Sequence, residues 1–119
     1  MAEMIYLKIL MIAIGYGIRL WAVAHNPGFS FLIVAPEAVY KGGLYKYIRH
    51  PAYLGALIMC GGAFALCSGW VGAFPPWVVL AVFLHHVAIH EELLITMRFP
   101  EYQKYIEQTG MFLPRWRYR

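Results

Sequence analysis

Apolar positions along the chain gather into three long runs separated by polar or turn-forming residues. The first, residues 4–24, reads "MIYLKILMIAIGYGIRLWAVA" and is interrupted only by Lys8 near one end and Arg19 near the other. The second covers residues 51–70 and carries no charge. The third, residues 75–98, is apolar in its first half and holds His85, His86, His90, Glu91 and Glu92 in its second. A helix needs about 20 mainly apolar residues to cross a bilayer, and each run comes close to that length. Lys8 and Arg19 are near enough to the helix ends to snorkel. Pro51 suits the first turn of a helix, where its missing N–H has no partner to lose. "SGWVGAFPP", between the second and third runs, has length for a tight turn only. Gly55, Gly62 and Gly69 recur every seven positions and fall near one face, where small residues let membrane helices approach closely.

Two segments remain. Residues 25–50 form a long connection that includes the short apolar piece "FSFLIV" and ends in a basic cluster. Residues 99–119 form an amphipathic, aromatic and basic tail suited to a membrane interface. If the second and third helices make a hairpin, the cluster and the tail emerge on one side. Lys41, Lys46, Arg49, Arg98, Lys104, Arg115, Arg117 and Arg119 all lie there, and the positive-inside rule places that side in the cytoplasm. The pattern therefore predicts an all-α fold in one domain: a polytopic membrane helical bundle of about three transmembrane helices with an interfacial C-terminal tail.

Composition agrees. Of 119 residues 61% are hydrophobic and 13% charged, where a soluble domain carries about a quarter charged. The formal net charge is +4, but the cations cluster at the ends of apolar runs. They point to anionic lipid headgroups or an anionic ligand rather than to nucleic acid. Cys60 and Cys67 would sit on one helix about 10 Å apart, beyond disulfide reach. The N-terminus has Glu3 and no basic residue before its apolar stretch, so a cleaved signal peptide is not expected.

Glu91 and Glu92 are the costly residues, since placing an acid at membrane depth costs about 2.5–3.5 kcal/mol on insertion scales. At 100° per residue Glu92 shares a face with His85, and Glu91 lies over Arg98. One acid is therefore expected to pair locally with a cation while the other points inward. His86 and His90 have the four-residue spacing that lets two imidazoles meet a metal. They lack the intervening glutamate of zinc protease helices, so packing is the preferred reading and no metal is expected. A basic loop and an acidic helix end on one side suit a zwitterionic ligand. S-adenosylmethionine has that character, with a carboxylate, an amine, a ribose diol and a sulfonium.

At this point "GGLYKYIRHPAYLG" followed by "EELLITMRFPEYQKYIEQTGMFLP" resembles the integral-membrane methyltransferase superfamily. That superfamily includes isoprenylcysteine carboxyl methyltransferases and phospholipid N-methyltransferases. Gly43, Tyr45, Arg49, His50, Pro51, Tyr53 and Gly55 match its first block. Glu91, Glu92, Phe99, Tyr102, Tyr105 and Pro114 match its second, and residues 18–29 resemble the segment that precedes the first. The resemblance implies S-adenosylmethionine as cofactor, bound by the loop of residues 41–55 and the ends of the last two helices. It assigns cofactor contacts to Tyr45, His50, Pro51, Tyr53, Gly55 and Glu92. Catalysis or substrate placement falls to Arg49 and Glu91. The implied acceptor is lipophilic, a prenylcysteine-type carboxylate or a lipid amine. Departures from the family pattern are the proline of "FPEY", a tail spacing about one residue shorter, and three spans where members have four or more. A second copy in a homo-oligomer could supply the missing helices. Two rival readings are an NADPH-dependent membrane reductase of related core, using Arg115, Arg117 and Arg119 for the extra phosphate, and a non-catalytic membrane partner module.

Overall fold

The computed structural model describes residues 4–25 and 47–113. The expectations placed on Lys41, Gly43, Tyr45, Lys46, Pro114, Arg115, Arg117 and Arg119 lie outside the described residues. Three helices follow in order: α1 (Ile5–His25), α2 (Pro51–Arg98) and α3 (Tyr102–Gln108). The described residues contain no strand, only an isolated parallel bridge between Ile48 and Gly110. Two of the helices, α1 and α2, are long and apolar enough to cross a membrane.

The second and third expected helices are one element with a break. α2 is 48 residues long, and inside it only Gly69 leaves helical geometry, at φ 74° and ψ 172°. That region of backbone space is open essentially to glycine alone. Tyr53 and Glu91, 38 residues apart, touch at 2.8 Å; a straight helix would separate them by about 57 Å. α2 therefore doubles back at Gly69 into two arms, residues 51–68 and 70–98. This corrects the predicted boundary. The returning arm starts at Trp70 rather than at Pro75, and Pro75 and Pro76 lie inside it. A single glycine makes the reversal, so the prolines are not needed as a start signal.

Glycine also sets how closely α1 approaches the first arm. A Cβ on Gly55 would come within 2.6 Å of the Gly15 carbonyl oxygen, and one on Gly62 within 2.5 Å of the Lys8 carbonyl oxygen. Gly62 thus meets Lys8, Gly55 meets Gly15 and Arg19, and Ala52 packs with Ala22. Position rises along one helix as it falls along the other, so the pair is antiparallel. The expected stripe divides by role: Gly55 and Gly62 pack, whereas Gly69 turns.

Between the arms, Tyr53, Leu57, Leu84 and Ala88 form the buried core. The Trp77 indole N–H donates to the Leu57 carbonyl at 2.8 Å, satisfying a polar group that would be costly in this setting. The outer faces are hydrocarbon, with Val71, Val79, Phe83 and Leu93 all more than half exposed. A soluble domain hides such residues, and a bilayer solvates them.

Candidate functional site

The site is built where the hairpin's two open ends meet. Pro51 occupies the first turn of α2, with His50 as N-cap at φ −130° and ψ 64°. Because proline disfavours helix at the residue before it, His50 stays outside α2 as its N-cap, with Arg49 just ahead of it at the helix mouth. The returning arm delivers Glu91 and Glu92 to the same level. Glu92 Oε2 accepts from Arg49 Nε at 2.8 Å and pairs with His50 Nε2 at 2.8 Å. Glu91 Oε2 accepts from the Tyr53 hydroxyl at 2.8 Å. The His50 and Tyr53 rings stack with centroids 5.2 Å apart and planes 7° from parallel.

Arg49 also ties down the C-terminal segment. Its Nη1 donates to the carbonyls of Ile106 at 2.8 Å and Thr109 at 2.6 Å, and to Thr109 Oγ1 at 3.3 Å. Carbonyls at the end of α3 have no partner within the helix, and a cation there also meets the negative end of the helix dipole. Backbone bonds complete the fastening: Arg49 N to Gly110 O at 2.8 Å, His50 N to Met111 O at 3.1 Å and Gly110 N to Tyr47 O at 3.0 Å. Phe112 is thereby laid edge-on against His50 and Tyr53, at 6.3 and 6.5 Å.

His50 is 1% exposed. Burial drives its pKa below the ordinary 6.5, with Glu92 opposing the shift and the Arg49 charge reinforcing it. Desolvation of an imidazolium outweighs one carboxylate already shared with an arginine, so the ring is neutral at neutral pH. Glu92 Oε2 is an acceptor, so Nε2 carries the ring proton and Nδ1 presents a lone pair. Nδ1 faces Glu91 Oε1 at 4.0 Å. Glu91 Oε1 is buried with no hydrogen-bond partner among the described residues. Glu91 Oε1 thus keeps acceptor capacity for a hydrogen-bond donor beside the His50 ring. Burial also raises the pKa of Tyr102, which lies beneath this cluster on α3.

The structure brings together Arg49, His50, Tyr53, Glu91 and Glu92. Pro51 is buried at the helix start. Gly55 faces α1 rather than the carboxylates. Both acids point inward, which overturns the expected division between them: Arg98 rests on the Phe99 ring at 5.6 Å and pairs with neither. The hairpin offers two inward donor sets, Tyr53 for one acid and Arg49 with His50 for the other, and helical angle alone does not reveal partners on another arm. His85, His86 and His90 are exposed, and among the described residues no group of three potential ligands could hold a metal. Lys8 is 7% exposed, and Arg19 has a buried Nη1 within electrostatic reach of the Tyr53 hydroxyl. The contributions of Arg19, Thr109 and Phe112 were missed. A cation inside an apolar run was a signal for Arg19; Thr109 and Phe112 carried none.

Methanethiol S-methyltransferase 1 of Bradyrhizobium diazoefficiens is 32% identical over 74 residues, which are 62% of this chain and 25% of that protein. The chain thus aligns with about a quarter of that relative's length. No solved structure matches it. The model of the isoprenylcysteine carboxyl methyltransferase family matches residues 7–97, a stretch that holds α1, both arms of α2 and the whole Arg49–His50–Tyr53–Glu91–Glu92 cluster. The chain belongs to the isoprenylcysteine carboxyl methyltransferase family.

Proposed function

We propose that the protein transfers a methyl group from S-adenosylmethionine to an apolar acceptor at the membrane surface. The observation that carries this reading is the buried oxygen of Glu91 without a partner, held opposite the His50 ring at the mouth of a lipid-facing hairpin. A buried carboxylate oxygen left without a donor is costly. An amine or ribose hydroxyl of the cofactor supplies the missing donor, so the residues fit the group. Glu91, His50 and Tyr53 would hold its polar parts, with Glu92 fixing the His50 tautomer and Phe112 closing over the rings. Tyr45 and Pro51 belong to the same proposed cofactor loop, and Gly55 supports it by letting α1 approach.

The cofactor, when bound, supplies an electrophilic methyl group on a sulfonium. The chain's part is to align the acceptor and exclude water. Stacked rings, an aromatic roof and an apolar exterior supply the second. An acceptor carboxylate or thiolate is already nucleophilic, and the Arg49 charge orients it. An acceptor amine or thiol must lose a proton, and Glu91 stands where it can accept one. The family's name favours a prenylcysteine-type carboxylate and the bacterial relative a small thiol; both are lipophilic, and both suit entry from the bilayer. The site opens to the cytoplasm in this reading.

The test is calorimetric titration of the purified protein in nanodiscs with S-adenosylmethionine, then incubation with methyl-labelled cofactor and a prenylcysteine, a lipid amine or methanethiol. Binding and label in one acceptor are expected, with Glu91→Gln weakening binding. Failure of the cofactor to bind the folded protein ends the proposal. NADPH in the same titration is the control for a reductase.

A further inference from the structure

Away from this cluster, at the Gly69 end of the hairpin, Lys8 presents a second anomaly. A lysine is almost never fully buried without a partner, yet Lys8 is 7% exposed and no carboxylate among the described residues pairs with it. Its ammonium lies 5.4 Å from the centre of the Trp70 ring, a contact that offsets only part of the cost of desolvating a cation. Trp70 is also a wall of a cavity of about 240 Å³, which Met11, Leu57, Gly61, Ala73 and Trp77 help to line. An apolar cavity of about 150 Å³ is enough to take benzene. The Trp77 N–H already donates to Leu57 O, so the walls offer a ligand hydrocarbon contact and little else.

Position gives the two features a common sense. Lys8 is three residues into α1 and Trp70 follows directly on the reversal, so the cation lies at the depth of a bilayer surface. The cavity extends to Leu57, twelve residues from Gly69 and hence about 18 Å of helical rise toward the bilayer centre. A fixed cation at the surface above a hydrocarbon-lined slot is complementary to an anionic amphiphile. We propose that this end of the protein binds an anionic membrane phospholipid, its head group at Lys8 and Trp70 and one acyl chain in the cavity. The site is remote from Glu91 and Glu92 and does not depend on the methyl-transfer reading.

The full chain is reconstituted in nanodiscs holding equal phosphatidylglycerol and phosphatidylcholine, and the lipid retained on release is counted by native mass spectrometry. Phosphatidylglycerol is expected in about fivefold preference, the order one lysine contributes against an anionic surface. Lys8→Arg should keep the preference and Lys8→Gln abolish it, while Ala73→Leu, which fills the cavity, should reduce retention of both lipids with helicity unchanged. Equal retention by the wild type, or a preference that survives Lys8→Gln, overturns the proposal. If Lys8→Gln does not fold, salt decides: a preference that weakens as salt screens the head group supports the site, and one indifferent to salt overturns it. In a second arm with oleate added as competitor, retention of oleate in place of phosphatidylglycerol overturns the phospholipid as the occupant and assigns the site to a free fatty anion.

Discussion

Arg49 joins three parts of the chain through one guanidinium: Glu92 on the returning arm, the last carbonyls of α3, and Thr109 beyond it. Its side chain is 9% exposed and that of Glu92 10%, so removing the cation leaves a carboxylate buried beside a neutral imidazole. Arg49→Ala should destabilise the fold by about 3 kcal/mol, the range for breaking one side of a buried pair. Arg49→Lys should recover only part of this, since a point charge cannot serve Glu92 and the carbonyls together. Denaturant unfolding, with proteolysis of residues 102–111 as a local readout, measures both. His50 yields a pH prediction. Its folded pKa lies below 6.5, so the unfolded chain binds the extra proton first as pH falls. Its contribution is complete above 6.5 and declines as pH drops below that value. Thermal stability should fall on acidification from neutral pH, and His50→Gln should remove that component; a midpoint that rises on acidification contradicts the assignment. Most of these residues were legible as a motif, because arginine, histidine and proline before an uncharged run have few uses. Their partners were not. That Arg49 serves α3 and that both acids face inward depends on a contact between chain segments 38 to 60 residues apart, which helical periodicity does not encode.

Among the helices, glycine positions decide more than apolar content does. Gly69→Ala puts a side chain at φ 74°, where nothing crowds it but the backbone itself is strained, at a cost of about 1–3 kcal/mol. Gly55→Leu differs in kind. Its Cβ would meet the Gly15 carbonyl and the Arg19 amide, so α1 must move away from the first arm. The first variant should keep the α1 contact and lose stability; the second should lose the contact. Crosslinking a cysteine pair at positions 22 and 52 separates these outcomes, and an unchanged crosslink in Gly55→Leu contradicts the packing described. The apolar runs were plain in the sequence, since hydrocarbon facing lipid needs no partner to be recognised. The reversal was misplaced because two prolines resemble a helix start more than one glycine does. In a polar loop that inference would hold; here a helix bend of one residue was sufficient.

For the molecule as a whole, the tail belongs to the site. Tyr102 and Tyr105 are buried at 3% and 6% exposure, and residues 110–112 lie against the backbone of residues 47–50 and the His50 ring. Truncation after residue 101 should leave α1 and α2 helical by circular dichroism while abolishing any thermal shift on adding S-adenosylmethionine. A truncated protein that still binds the cofactor would make the tail an ornament of the interface. The single-residue connection at Gly69 has a consequence for biogenesis. If both arms cross the bilayer, no linker holds one of them back in water, and the two enter the lipid together. Whichever way round that happens, the arginine and the two glutamates arrive on a shared shore, so correct pairing of the charges is indifferent to the sense of insertion.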